Sequence, residues 1–237
     1  MNRLALMLAF AAGVSAVAAD TKADAAKAKK GLQDIGEFVG TWNLTADSKA
    51  TGKLVSWKET FNISWKFKGD DSWLQVDVTK DKMPASGELR YNPEKKQYVL
   101  NLKVKETKDA KESKEATYTG EFKKGKLTLE NKNEKTSDVT KLTMNTVSEG
   151  IRLSVATELQ KGGSGPFETL YKAVGNKEGE SLAGGGAKKP ECIVTGGTAT
   201  MTVSYMGKTY YVCCSGCRDE FNENPKKYVD AFEKSKK

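Results

Sequence analysis

The four cysteines are the side chains of this sequence best suited to metal binding or redox chemistry. Cys192, Cys213, Cys214 and Cys217 lie close to the C-terminal end of the 237-residue sequence, and the chain contains no histidine. The missing imidazole excludes serine–histidine triads, histidine-ligated zinc sites and a proximal haem histidine. Any thiol chemistry must therefore take place at this end of the chain.

A hairpin followed by a helix is the simplest structure for the cysteine region. Met201–Tyr205 and Lys208–Val212 are predicted to form its two strands, with a glycine-containing turn between them. Cys192 then lies where the hairpin begins and Cys213 where it ends. Cys217 follows in the first turn of the helix. This arrangement predicts that three sulfurs converge.

Converging thiolates favour a soft metal ion such as Zn²⁺ or Cu⁺. The helix N-terminus favours the ionised form of Cys217, and Lys208 and Arg218 are cations close enough in sequence to offset a negative site. Without histidine, a fourth ligand would be Cys214, a water, a carboxylate such as Glu191, or nothing. Three sulfurs without a fourth ligand suit Cu⁺ slightly better than structural Zn²⁺.

Oxidation of the same cysteines is the main alternative. Four thiols in an exported protein can form two disulfides, for example Cys192 with Cys217 and Cys213 with Cys214. A disulfide between adjacent residues is strained and would block the site. A thiol redox protein, switching between thiols and a disulfide, is a further hypothesis.

Residues 190–235 resemble the YHS domain and its relative the TRASH domain, which is associated with heavy metals. The resemblance rests on the motifs CIVTGG, VSYMGKTYYVCCSGC and RDEFNENPKKYVDAF. It implies Cys192, Cys213 and Cys217 as metal ligands, with Cys214 as an extra thiol that is a ligand or a bystander. The family's packing positions match Tyr210, Tyr211, Phe221, Pro225 and Tyr228.

The N-terminus has the pattern of a secretory signal peptide. A positive start at Arg3 precedes an apolar run that ends in small residues, which predicts cleavage after Ala18 or Ala19. The apolar run, Leu4–Val17, is too short to span a membrane comfortably, and no other segment is a candidate span. We therefore expect an exported protein, periplasmic or extracellular. The following residues, 21–31, are rich in alanine and lysine and predict a weak helix or a tail.

Residues 32–174 predict a mainly β fold, an up-and-down antiparallel barrel. Nine or ten short segments alternate apolar and polar residues, and turn residues separate them. The Gly40-Thr41-Trp42 entry and the Gly125-containing hairpin resemble bacterial lipocalin-like barrels. The glycine-rich residues 175–189 predict a flexible linker to the cysteine module.

A barrel of this kind can enclose one small apolar ligand, so a lipocalin-like carrier with a structural C-terminal module is the second functional hypothesis. Its tryptophans either line a pocket or fill the core. These are Trp42, Trp57, Trp65 and Trp73. Glu59, Asp77 and Glu88 are assigned to the polar face of the strands, and no catalytic group is identified. We expect a binding protein rather than an enzyme.

The charge pattern gives no reason to expect a nucleic-acid partner. The sequence has 39 lysine and arginine residues against 31 acidic residues, a net charge of +8. The two signs alternate along the chain instead of forming a basic stripe with aromatic partners. Protein partners are not indicated.

Overall fold

A computed structural model of the chain describes residues 22–48, 53–79, 85–105, 113–147, 150–179 and 190–235. The predicted signal peptide, residues 1–19, lies outside these ranges, and export stays a prediction. In the described ranges, no helix is long and apolar enough to cross a membrane.

Ten antiparallel strands close into an up-and-down barrel in which each strand pairs with its neighbours in sequence and β10 pairs with β1. The strands are β1 Gly40–Ser48, β2 Val55–Lys68, β3 Asp71–Thr79, β4 Ala85–Asn92, β5 Gln97–Val104, β6 Lys114–Lys123, β7 Lys126–Lys132, β8 Val139–Val147, β9 Arg152–Gln160 and β10 Glu168–Lys177. A short 3₁₀ helix, Lys161–Gly163, lies between β9 and β10. The predicted mainly β barrel is confirmed.

Alternate side chains of each strand point into the barrel, as the period of two requires. Trp42 and Trp65 are completely buried there and fill the core. Trp57 is half-buried on the inner face, whereas Trp73 lies on the outer face with the Arg90 guanidinium 4.6 Å from its ring centre. The four tryptophans therefore do not form one pocket lining.

Glu59 does not lie on the polar face of β2, and that prediction was wrong. Its side chain is 5% exposed and lies inside the barrel. The reason is its position in the same odd-numbered series as Trp57 and Phe61, which sends all three side chains to one face. Asp77 and Glu88, on the neighbouring strands, form polar contacts on the outer face as expected.

One end of the barrel is closed by α1 Lys22–Gln33 and by a 3₁₀ helix, Gly36–Phe38. Leu32, Ile35 and Phe38 have no exposed surface, and the Tyr98 hydroxyl donates a hydrogen bond to the Gly31 carbonyl at 2.7 Å. The segment predicted as a weak helix or a tail is thus an ordered helix that plugs this end.

The C-terminal module folds as the sequence indicates. It contains β11 Met201–Tyr205, β12 Lys208–Val212, α2 Ser215–Glu223 and α3 Pro225–Ser235. Phe221 is completely buried beneath Tyr210, but Tyr211 is 41% exposed. Tyr211 is not a packing residue, because consecutive strand residues point to opposite faces of the hairpin.

The boundary between barrel and linker lies later than predicted. β10 continues to Lys177, so that residues 175–177 belong to the barrel. The reason is that Gly175 makes a close contact, since a Cβ there would lie 1.9 Å from the Asn43 carbonyl oxygen. Residues 180–189 of the predicted linker lie outside the described residues.

The module packs against the barrel at the closed end. The pairing of β2 with β1 ends at Ile63, and β2 runs on beyond it. There α2 approaches so closely that a Cβ on Gly216 would lie 1.8 Å from the Trp65 carbonyl oxygen. Only glycine permits this contact between helix and strand.

Candidate metal centre

A tight loop positions Cys192 beside the hairpin. The Cys192 amide donates to the Gly197 carbonyl at 2.7 Å, and the Gly196 amide donates back to the Cys192 carbonyl at 2.8 Å. Gly196 has a φ of 75°, which suits glycine. The Ile193 amide then donates to the Tyr211 carbonyl of β12 at 2.9 Å, which fixes the loop to the strand that leads to Cys213.

The three predicted ligand sulfurs converge in one group. The sulfurs of Cys192, Cys213 and Cys217 all lie within 4.8 Å of one another, and those of Cys213 and Cys217 are 3.4 Å apart. Sulfurs bound to one zinc ion at about 2.3 Å would be about 3.8–4.0 Å apart in tetrahedral or trigonal geometry. Small movements would therefore bring all three to a common ion.

The sulfur group is almost completely enclosed. Cys192, Cys213 and Cys217 are 2%, 6% and 0% exposed. The Thr195 hydroxyl lies 3.5 Å from the Cys213 sulfur and 3.9 Å from the Cys217 sulfur. The sequence analysis did not identify Thr195 as a site residue, although it lies in the CIVTGG motif. Its closeness to Cys192 in the sequence was the only indication that it contacts the sulfurs.

Hydrogen bonds among the thiols make them share charge. Donation from Cys213 and then from Cys217 lowers the pKa of Cys192, and the same contacts with Cys192 raise the pKa values of both donors. Three thiolates so close together would repel one another, and a cation at the centre would relieve that repulsion.

Cys214 and Glu191 lie outside the three-sulfur group of the described residues. Cys214 is the residue that precedes α2, and its sulfur is 3.9 Å from that of Cys213. Contacts with Cys213 and then with Cys217 lower the pKa of Cys214, and the Trp65 backbone also hydrogen-bonds its sulfur. Cys214 therefore faces the barrel wall.

A cation close to the cluster comes from α1, which sequence reasoning did not associate with the site. The Lys29 ammonium donates to the Val194 carbonyl at 3.2 Å and lies between the rings of Phe67 and Tyr228. Burial lowers the pKa of Lys29, while the charge of Cys217 raises it. With more than 160 residues between them, no local pattern could have paired Lys29 with the cysteines.

The two cations expected to offset the site have other partners. Lys208 is 3.3 Å from Glu233, and Arg218 is 2.9 Å from Asp219. Both side chains are largely exposed, because Lys208 begins β12 at the turn and Arg218 points away from the buried side of α2. Closeness in sequence was a poor guide to closeness in space here.

Comparison with known families agrees with this geometry. Residues 193–231 match the YHS domain. The match begins one residue after Cys192 and includes Cys213 and Cys217, together with β11, β12, α2 and most of α3. The YHS domain therefore follows a ten-strand antiparallel barrel in this chain. None of the curated proteins compared with the chain matches it.

Proposed function

We propose that this chain is an exported protein that binds a soft metal ion, Cu⁺ or Zn²⁺, for trafficking, sequestration or sensing. The observation that carries the proposal is the convergence of three buried sulfurs, those of Cys192, Cys213 and Cys217, within 4.8 Å. They lie in or beside a segment that matches the YHS domain. The signal-peptide pattern of residues 1–19 supports export.

The donor set selects the class of ion. Thiolates bind Cu⁺ and Zn²⁺ much better than they bind Mg²⁺ or Ca²⁺, which prefer oxygen. The near absence of solvent exposure favours retention of the ion over rapid exchange with small ligands. We propose a binding role without catalysis, since the burial of the three cysteines limits the access of a substrate.

Metal titration under anaerobic, reducing conditions tests this proposal. The full chain should bind one equivalent of Cu⁺ or Zn²⁺ in competition with a chromophoric chelator. Substitution of Cys192, Cys213 or Cys217 by serine should each lower the affinity by about 100-fold or more, because a ligand is lost. Cys214→Ser is the matched control and should retain binding within a few-fold of the wild type.

Two results would contradict the proposal. One is unchanged metal binding in the three ligand variants. The other is a wild-type chain that binds no metal while fully reduced, yet shows a reversible two-electron couple between Cys213 and a second cysteine. That outcome would favour the thiol redox hypothesis.

A further inference from the structure

The inside of the barrel differs sharply between its two ends. At the end closed by α1, the inward-facing side chains have almost no exposed surface; they include Trp42, Leu74, Leu89, Leu127, Leu129 and Leu153. Towards the opposite end, inward-facing apolar and aromatic side chains are only half-buried; they include Trp57, Val78, Leu102, Tyr118, Leu142 and Tyr171. The second group packs against the core without being covered by it. No described residue covers these side chains completely, and we call this half of the barrel its open half.

A buried carboxylate lies where the two halves meet. Glu59 is directly opposite Leu44 in the pairing of β1 and β2, and it is the only buried acidic side chain in the part of the chain that the structure describes. The Trp57 indole donates to Glu59 Oε2 at 2.7 Å, and the Tyr171 hydroxyl donates to Oε1. The Trp57 and Tyr171 rings, 6.0 Å apart, flank the carboxylate on the open side.

Both hydrogen-bond donors are neutral, so neither gives Glu59 a counter-ion. No ion pair with Glu59 is found among the residues that the structure describes. A carboxylate can accept about four hydrogen bonds, so each oxygen keeps one acceptor position. Burial and then the charge of Glu59 raise the pKa of Tyr171, which keeps its hydroxyl protonated as a donor.

A buried carboxylate is costly to a fold unless a charge or further donors compensate it. Trp57 and Tyr171 hold the group in one orientation, but both are neutral. The surrounding inner face is apolar and aromatic. Such a surface suits the apolar body of a small organic molecule, and the faces of its aromatic rings also attract a cation. The combination is complementary to an ammonium group attached to an aromatic or aliphatic body.

We propose that the open half of the barrel binds a small organic amine, whose ammonium group hydrogen-bonds to Glu59 and whose apolar body packs against the rings of Trp57 and Tyr171. The site is separate from the sulfur cluster at the closed end and goes beyond metal binding. A neutral ligand of the same shape gains the packing but not the charge-assisted hydrogen bond.

Three indole compounds that differ in one functional group test this inference by calorimetry on the full chain. The probes are tryptamine, its neutral alcohol tryptophol, and the anion indoleacetate. Tryptamine should bind at least about tenfold more tightly than tryptophol, as expected for one hydrogen bond to a charged group. Indoleacetate should bind more weakly than both, since its carboxylate would approach Glu59.

Glu59→Gln keeps the size of the side chain and removes its charge. In this variant the preference for tryptamine over tryptophol should disappear, while tryptophol still binds. Glu130→Gln, which alters an exposed carboxylate on β7, is the matched control and should preserve the preference. Circular dichroism of each variant confirms that the barrel is folded.

Equal binding of tryptamine and tryptophol by the wild type would overturn the inference, as would a preference that survives Glu59→Gln in a folded barrel. Failure of all three probes to bind would also overturn it. None of these results bears on metal binding, which the cysteine variants test independently.

Discussion

At the scale of single residues, the charge balance of the sulfur cluster depends on a side chain from the other end of the chain. Lys29 is the half-buried cation that experiences the charge of both Cys217 and Cys192. A site of three thiolates and one Cu⁺ or Zn²⁺ ion keeps a net negative charge. Lys29 compensates part of that charge from beside the Cys192 loop, where it also holds the Val194 carbonyl.

Removal of the Lys29 charge should therefore weaken metal binding. We expect Lys29→Met to lower the affinity by about tenfold, in the range typical of groups just outside a metal's ligands. Competition with a chelator measures the change. Lys30→Met, one residue further on the exposed side of α1, is the control and should bind like the wild type. Equal affinities for the two variants would show that Lys29 has no electrostatic role.

Only some residues of the two sites could be predicted from the sequence. The ligand sulfurs were predictable, because a hairpin of known strand length brings its two ends together and a helix follows. Thr195 and Lys29 were not, because they approach the cluster through tertiary packing. The inward orientation of Glu59 could have been predicted from its odd-numbered position on β2. Its charge led to the wrong assignment to the polar face.

At the scale of secondary structure, the contact between α2 and β2 joins the metal-binding module to the barrel. β2 extends beyond the end of β1 and leaves one backbone edge without a strand partner from β1. The start of α2 covers this edge: Gly216 touches the Trp65 carbonyl, and the Cys214 sulfur hydrogen-bonds to the Trp65 backbone. This contact explains a buried Cys214 that does not join the sulfur group.

A methyl group at position 216 should disrupt this contact. We expect Gly216→Ala to lower the free energy of unfolding by about 1–3 kcal/mol, because the new Cβ clashes with a backbone atom that cannot move cheaply. Denaturant unfolding measures the loss. Gly197→Ala is the matched control, since its Cβ would meet nothing closer than 3.9 Å. If both variants unfold alike, α2 does not dock as described.

The elements themselves followed from the sequence. Alternation of apolar residues marks strands such as β2 and β5, and the two strands of the module have the bounds that the pattern predicts. The end of β10 was misplaced because Gly175 resembles a linker residue in composition. Only the pairing of Gly175 with Leu44 of β1 shows that Gly175 belongs to a strand.

At the scale of the whole molecule, barrel, α1 and module share one continuous core. The buried side chains of all three form a single cluster that runs from Leu153 through Trp65 to Cys217 and Phe221. A polar, glycine-rich segment between two domains predicts a flexible tether, but its composition carries no information on whether the domains pack together. Here the barrel wall and α1 complete the enclosure of the sulfurs.

X-ray absorption spectroscopy of the reduced full chain, loaded with one equivalent of Zn²⁺, counts the ligands of the proposed three-cysteine centre. The predicted result is three sulfur neighbours at about 2.3 Å, with no more than one lighter neighbour. In Cys217→Ser the sulfur count should fall to two. A wild-type spectrum dominated by oxygen or nitrogen neighbours, or one with fewer than three sulfurs, would contradict the three-cysteine metal centre.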